Sequence, residues 1–232
     1  MDMELSVNFP ERPKTEIKNL EKTLGFLDKF FSDFNVEYRI FGSIIPAALL
    51  GKPQRKLGDI DLMMDAEDEG KLLREFRKAG YKVERRNFRL LALEMVWLEA
   101  TGKELYDLTA FLGHFDKHKN FVIRVSNNLQ VVASSEAVRA TKYKFGSASF
   151  IGIPVEAAFY GAWASRSNPK RKYDLAAFRL KGKNKPPKYS VIDFYYKDKK
   201  LPFLYPISCF LQNVLGKISL SLGGNYDFWR HS

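Results

Sequence analysis

FGSIIPAALLGKPQRKLGDIDLMMD, residues 41–65, decides the reading of this chain. A strand-like run, Tyr38 to Phe41, ends at Gly42-Ser43. The apolar segment Ile44–Leu50 suits a short helix, with Pro46 in its first turn, where proline is tolerated, and Gly51 and Pro53 at its end. A basic loop follows, then Asp59-Ile60-Asp61-Leu62 within a strand expected over Leu57 to Met64. Side chains two apart on a strand share a face. Two carboxylates held side by side there repel each other and lose hydration. A divalent cation is the usual compensation.

Outward from that stretch, Ile17, Leu20, Leu24, Leu27 and Phe31 follow helical spacing and predict an amphipathic helix over 14–34. A second such helix is expected from Glu67 to Ala79, closed by Gly80, and a strand over Tyr81–Arg86. Residues 88–99 and 103–111 read as a hairpin, with Gly102 suited to positive φ in its turn. Asp107 stands between Tyr106 and Leu108 in the second arm, an acid inside an apolar strand; Glu104, at the strand start, is the competing acid. Strands are expected at Phe121–Val125, Leu129–Ala133 and Ala148–Ile153, and a helix from Val155 to Ser165 behind Pro154.

The order hydrophobic-Gly-Ser, helix and loop, Asp-x-Asp resembles the nucleotidyltransferase superfamily related to DNA polymerase beta. The loop Gly51–Asp59 is similar to that of small antibiotic nucleotidyltransferases of lincosamide and aminoglycoside type, and of nucleotidyltransferase toxins. The resemblance implies an α+β fold: a mixed β-sheet flanked by helices, with a mainly helical or irregular C-terminal extension. It implies a core over 1–115, an extension of strands and a helix over 116–180, and a basic, aromatic segment over 181–232. It also implies transfer of an NMP group from an NTP to a hydroxyl acceptor. Mg²⁺ (or Mn²⁺) would be held by Asp59, Asp61 and Asp107, which are also the catalytic residues. Gly42, Ser43, Arg55 and Lys56 would hold the nucleotide. Asp174 joins them because Pro169–Leu175 resembles the Arg-Lys-Asp segment that follows the core in many relatives; Gly161 and Ala177 stand where that pattern has a lysine and a second acid.

A formal charge of +11 favours anionic partners, an NTP donor among them. The acceptor is either a small hydroxyl-bearing molecule or RNA, the latter as for a tRNA-modifying toxin. A non-catalytic nucleotide- or nucleic-acid-binding module is the reading from another class, and three carboxylates argue against it. Residues 181–200 interleave lysines with Tyr189, Phe194, Tyr195 and Tyr196, which suits either RNA contact or cover for the core, and cover is preferred. Leu201–Leu222 is mostly apolar and suits a helix packed on the core or on a second subunit, compatible with a homodimer. His114, Asp116 and His118 have zinc-like spacing but no further ligand nearby in sequence, and are read as a solvated loop. There is no P-loop and no Gly-x-Ser-x-Gly. One cysteine, Cys209, excludes an intrachain disulfide. The N-terminal stretch is polar, and no apolar run has transmembrane length, so a cytoplasmic protein with no membrane partner is expected.

Overall fold

The computed structural model of the protein describes residues 8–90, 93–183 and 185–221. The first arm (88–99) of the expected hairpin of 88–99 and 103–111, the segment 181–200 and the helix ending at Leu222 each lie partly outside these residues.

The chain opens with α1 (Lys14–Asp33), β1 (Tyr38–Phe41), α2 (Ile44–Leu50) and β2 (Ile60–Asp65). A short 3₁₀ turn leads into α3 (Glu69–Lys78), β3 (Lys82–Leu90), β4 (Leu93–Thr101) and β5 (Leu108–Phe115). Then come β6 (Phe121–Arg124), β7 (Leu129–Ala133), β8 (Thr141–Phe145) and β9 (Ala148–Gly152). Helices α4 (Val155–Ala164) and α5 (Arg171–Leu180), strands β10 (Ile192–Tyr196) and β11 (Lys199–Lys200), and α6 (Leu204–Ser221) complete it. The mixed sheet runs β11-β10-β7-β6-β5-β2-β1-β9-β8, with β4 joined to β5 and β3 to β4. This is the α+β architecture expected from the sequence, with a helix in the C-terminal extension.

Alternation along β2 divides the two faces of the sheet. Ile60, Leu62 and Met64 are fully buried, as are Leu20, Leu24 and Leu27 of α1 and Leu72 and Phe76 of α3 in the same core cluster. Phe26, Phe30, Phe76 and Tyr81 stack there with centroids 5.3–6.3 Å apart. Asp61, Met63 and Asp65 face the other way and are half-buried. Ladder register carries that second face across the neighbours. Asp61 pairs with Phe41 on β1 and Thr109 on β5, and Thr109 pairs with Glu99 on β4. The next row contains Arg39, Met63, Phe111 and Trp97.

Three local expectations are corrected. β2 begins at Ile60, so Asp59 precedes the strand. Asp107 likewise sits just before β5 rather than within it. The β4–β5 connection spans 102–107, longer than a tight turn, and Gly102 does not have positive φ. Its glycine has another reason: a Cβ there would lie 2.8 Å from the Leu105 carbonyl oxygen. The strand β8 and the helix α5 were not read from the sequence.

Residues 192–196 add to the sheet by pairing with β7, and Tyr189 and Val191 pack against the core. Lys200 pairs with Asp193 at 2.7 Å, and Lys183 with Glu156 at 3.5 Å. On α6, Phe203 just ahead of it, Ile207 and Phe210 are exposed, along one side at helical spacing. Among the described residues no helix is long and apolar enough to cross a membrane.

Candidate active site

The turn after β1 brings the site together. Gly42 has φ +79°, the left-handed region that glycine enters without a Cβ penalty. It has a second constraint: a Cβ at Gly42 would stand 2.6 Å from Asp61 Oδ2. The carboxylate of Asp61 is therefore cradled directly against the backbone of the turn. Gly42→Ala is expected to push that carboxylate aside and to lower transfer by about 10²-fold, as misplacement by about an ångström does. Pyrophosphate release measured beside a thermal melt checks this; unchanged turnover would show that the cradle is irrelevant.

Ser43 opens α2 without using its side chain as a cap. Its hydroxyl instead donates to Asp174 Oδ2 at 3.1 Å and accepts from Arg171 Nη1 at 3.1 Å and from Arg55 Nη2. Arg55 grips Asp174 with two donors, Nε to Oδ1 at 3.0 Å and Nη2 to Oδ2 at 3.1 Å. Arg171 Nη1 adds a bond to Oδ2 at 2.9 Å. Gln54 Nε2 completes the set, donating to Asp174 Oδ1 at 2.6 Å and to the Ser43 carbonyl at 3.1 Å.

Asp174 is 1% exposed, so it aims the two guanidinium groups and does not itself face solvent. Burial pushes its carboxyl up. The hydrogen bond and charge of Arg55, the charge of Arg171 and the Gln54 amide outweigh burial and hold it below the usual carboxylate value. Two guanidinium groups against one carboxylate leave a positive excess beside Ser43. That balance suits a phosphate.

The opposite charge lies next door. Asp59 Oδ2 accepts from Thr109 Oγ1 at 2.6 Å, and the Ile60 amide donates to the Asp107 carbonyl at 2.9 Å. Since Ile60 stands level with Leu108, Asp59 and Asp107 adjoin across the β2–β5 ladder. The side chain of Asp107 is exposed and accepts from the Gly102 amide at 3.1 Å. Glu104, the competing acid, pairs with Lys22 of α1 at 3.2 Å.

The hard oxygen donors of Asp61, cradled at Gly42, and of Asp59, held by Thr109, fit a small divalent cation. Among the described residues no three acids or histidines stand in a ready metal cluster. Asp107 would have to turn from Gly102 to join the pair.

The structure thus brings together Gly42, Ser43, Arg55 and Asp174, and places Asp59, Asp61 and Asp107 beside them. Lys56 is exposed and its charge acts on Glu16 of α1, while its carbonyl accepts from Arg55 Nη1 at 2.9 Å. His114 belongs to β5 rather than to a loop, and Asp116 accepts from the amides of His118 and Asn120 in the turn that follows. The sequence pattern does not single out Gln54, Thr109 or Glu99, and Arg171 lies in the Pro169–Leu175 segment beside Asp174. The signal for Thr109 and Glu99 is strand register, which needs the pairing of β5 with β2 and β4. Gln54 could have been suspected as the uncharged polar residue of a basic loop. Its Oε1 is buried without a hydrogen-bond partner among the described residues.

On the side of Phe111 and Met95, the same sheet face forms one wall of a cavity of about 450 Å³. α4, Arg171 at the start of α5, Ile192 of β10, and Tyr205 and Cys209 of α6 close it.

A curled mixed sheet, with a Gly-Ser turn after its first strand and an Asp-x-Asp opening the next, places the chain in the class of nucleotidyltransferase-like α+β folds. Within that class, the family model for aminoglycoside-2''-adenylyltransferase matches residues 25–105. No curated protein matches the chain in sequence. Among solved structures, the lincomycin-bound lincosamide antibiotic adenylyltransferase LnuA is similar at TM-score 0.56 and 19% identity, over 69% of this chain and 98% of that one. ANT(2")-Ia in complex with adenylyl-2"-tobramycin aligns at TM-score 0.45 and 17% identity, over 68% of this chain and 90% of that one. An antigenic nucleotidyltransferase-like protein from Paracoccidioides brasiliensis aligns at TM-score 0.43 and 13% identity, over 70% and 77%.

Proposed function

We propose that this protein transfers a nucleotidyl group from an NTP to a small hydroxyl-bearing acceptor and releases pyrophosphate, with a divalent metal. The observation that carries this reading is the adjacency of a phosphate-suited cluster, Ser43 with Arg55 and Arg171, to the Asp59–Asp61 pair. The family match supports ATP as donor, and we place the reaction in the cytoplasm.

Mg²⁺, or Mn²⁺, held by Asp59 and Asp61 with Asp107, would neutralise phosphate charge and acidify the attacking hydroxyl. The chain's own residues do the rest. Gly42 lets the phosphates approach the backbone. Ser43 then donates to a phosphate oxygen. The acceptor oxygen bonds to the α-phosphorus, the bond from that phosphorus to the β-phosphate oxygen breaks, and pyrophosphate leaves. Arg55 and Arg171 take up the charge that grows on it. Asp107 is the acid we assign to the acceptor side, where it favours loss of the hydroxyl proton. Thr109 orients Asp59, and Asp174 with Gln54 orients the arginines. Lys56, at the outer edge, adds positive potential without touching Ser43.

A small acceptor is favoured over RNA by the cavity and by the use of residues 192–196 as a sheet strand. The test is mass spectrometry after incubation with each NTP and Mg²⁺, together with a metabolite extract or total RNA. A metabolite heavier by one NMP supports the reading. An RNA so modified replaces the acceptor, and no labelled product in either mixture overturns transfer altogether.

A further inference from the structure

Among the described residues that line the cavity beside the Asp pair, one is charged, Arg171. Its other described walls are uncharged: Met95 and Phe111 from the sheet, Ile192 from β10, Tyr205, Ser208 and Cys209 from α6, and Ser165 and Asn168 after α4. Phe111 lies one row along β5 from Thr109, on the face that carries Asp61. A molecule seated against Phe111 therefore lies on the reacting face, beside the phosphate cluster. Resting on the transfer reading above, we propose that the acceptor has a largely apolar body bearing hydroxyls and no cationic group, and that polycationic acceptors are excluded.

Burial holds both the Tyr205 hydroxyl and the Cys209 thiol in their neutral forms by raising their pKa values. Neither supplies the negative charge that an ammonium needs. An ammonium entering this cleft would lose hydration and meet the Arg171 guanidinium, with no carboxylate among the described lining residues to repay it. Asp59 and Asp61, one row away, are committed to the metal in the transfer reading. An apolar body gains instead, since Met95, Phe111 and Ile192 offer it surface to cover. Arg171 is compatible with a neutral acceptor, because Asp174 already balances part of its charge at 2.9 Å.

Equilibrium dialysis of the full chain against two probes, without nucleotide and at about 0.15 M salt, tests the inference. The probes are 4-methylumbelliferyl β-D-glucoside, a neutral aromatic glycoside, and kanamycin, a polycation. The glucoside is expected to bind at least about tenfold more tightly. Met95→Glu should raise kanamycin binding by about tenfold and weaken the glucoside. Ile192→Glu, on a different strand, should do the same, so a folding failure in one variant leaves the other decisive. Kanamycin binding as tight as the glucoside's in the natural protein, or no saturable glucoside binding, overturns the inference. Glucoside that saturates the pocket yet is not nucleotidylated with any NTP and Mg²⁺ leaves the cavity's selectivity standing and counts against the transfer reading instead.

Discussion

Asp61→Asn is expected to lower nucleotidyl transfer on the order of 10³-fold or more and to leave the protein folded. Asparagine keeps the shape of the side chain against Gly42 while removing the charge that faces a cation. The folded state loses little, because Asp61 is half-buried next to Asp59 and the substitution relieves like-charge repulsion. Asp59→Asn should behave alike, since an amide oxygen can still accept from Thr109. Pyrophosphate release under saturating NTP and Mg²⁺, read beside far-UV circular dichroism, separates lost chemistry from lost structure. Turnover near that of the natural protein in either variant removes that residue from the site.

The largest expected effect on stability belongs to Asp174→Ala, at about 3–5 kcal/mol. Removing this carboxylate strands Arg55, whose side chain is 11% exposed, and deprives the fully buried Gln54 of its acceptor. Activity should fall with it, because both arginines lose the group that aims them at Ser43. The carboxyl is held below its ordinary value of 3.8, so the folded state binds the proton less readily than the unfolded chain does. Its stabilisation is therefore complete above that value and fades as pH falls through the lower folded one. In urea melts the gap between the natural protein and Asp174→Ala should stay level from about pH 5 to 8 and narrow below about pH 4. A gap under about 1 kcal/mol at neutral pH would mean that the cluster is a solvated ion pair and not a structural clamp.

Gly42, Ser43, Asp59 and Asp61 were legible because they lie within 20 residues of one another in a pattern of local constraints. A turn that needs positive φ, a short helix of seven residues and an alternating strand are each written in neighbouring residues. Arg55 was legible as a basic residue in that loop. Its partner was not: Asp174 is 119 residues away, and the bond between them exists because α5 packs against α2. A partial motif suggested that Asp174 meets the nucleotide, whereas burial at 1% makes it the hub that holds two arginines and Gln54.

By itself the sequence determined the α+β class, the order of the core elements and the carboxylate pair, because periodicity and turn chemistry act over a few residues. Tertiary structure alone decided which residues share the face of that pair. The pairing of β5 with β2 and β4 fixes Thr109 beside Asp61 and Glu99 beyond it, and a one-residue change in register would have reversed both. It also decided the cavity beside that face, whose walls come from β4, β5, α4, α5, β10 and α6, elements that meet only when the chain folds back over its own sheet.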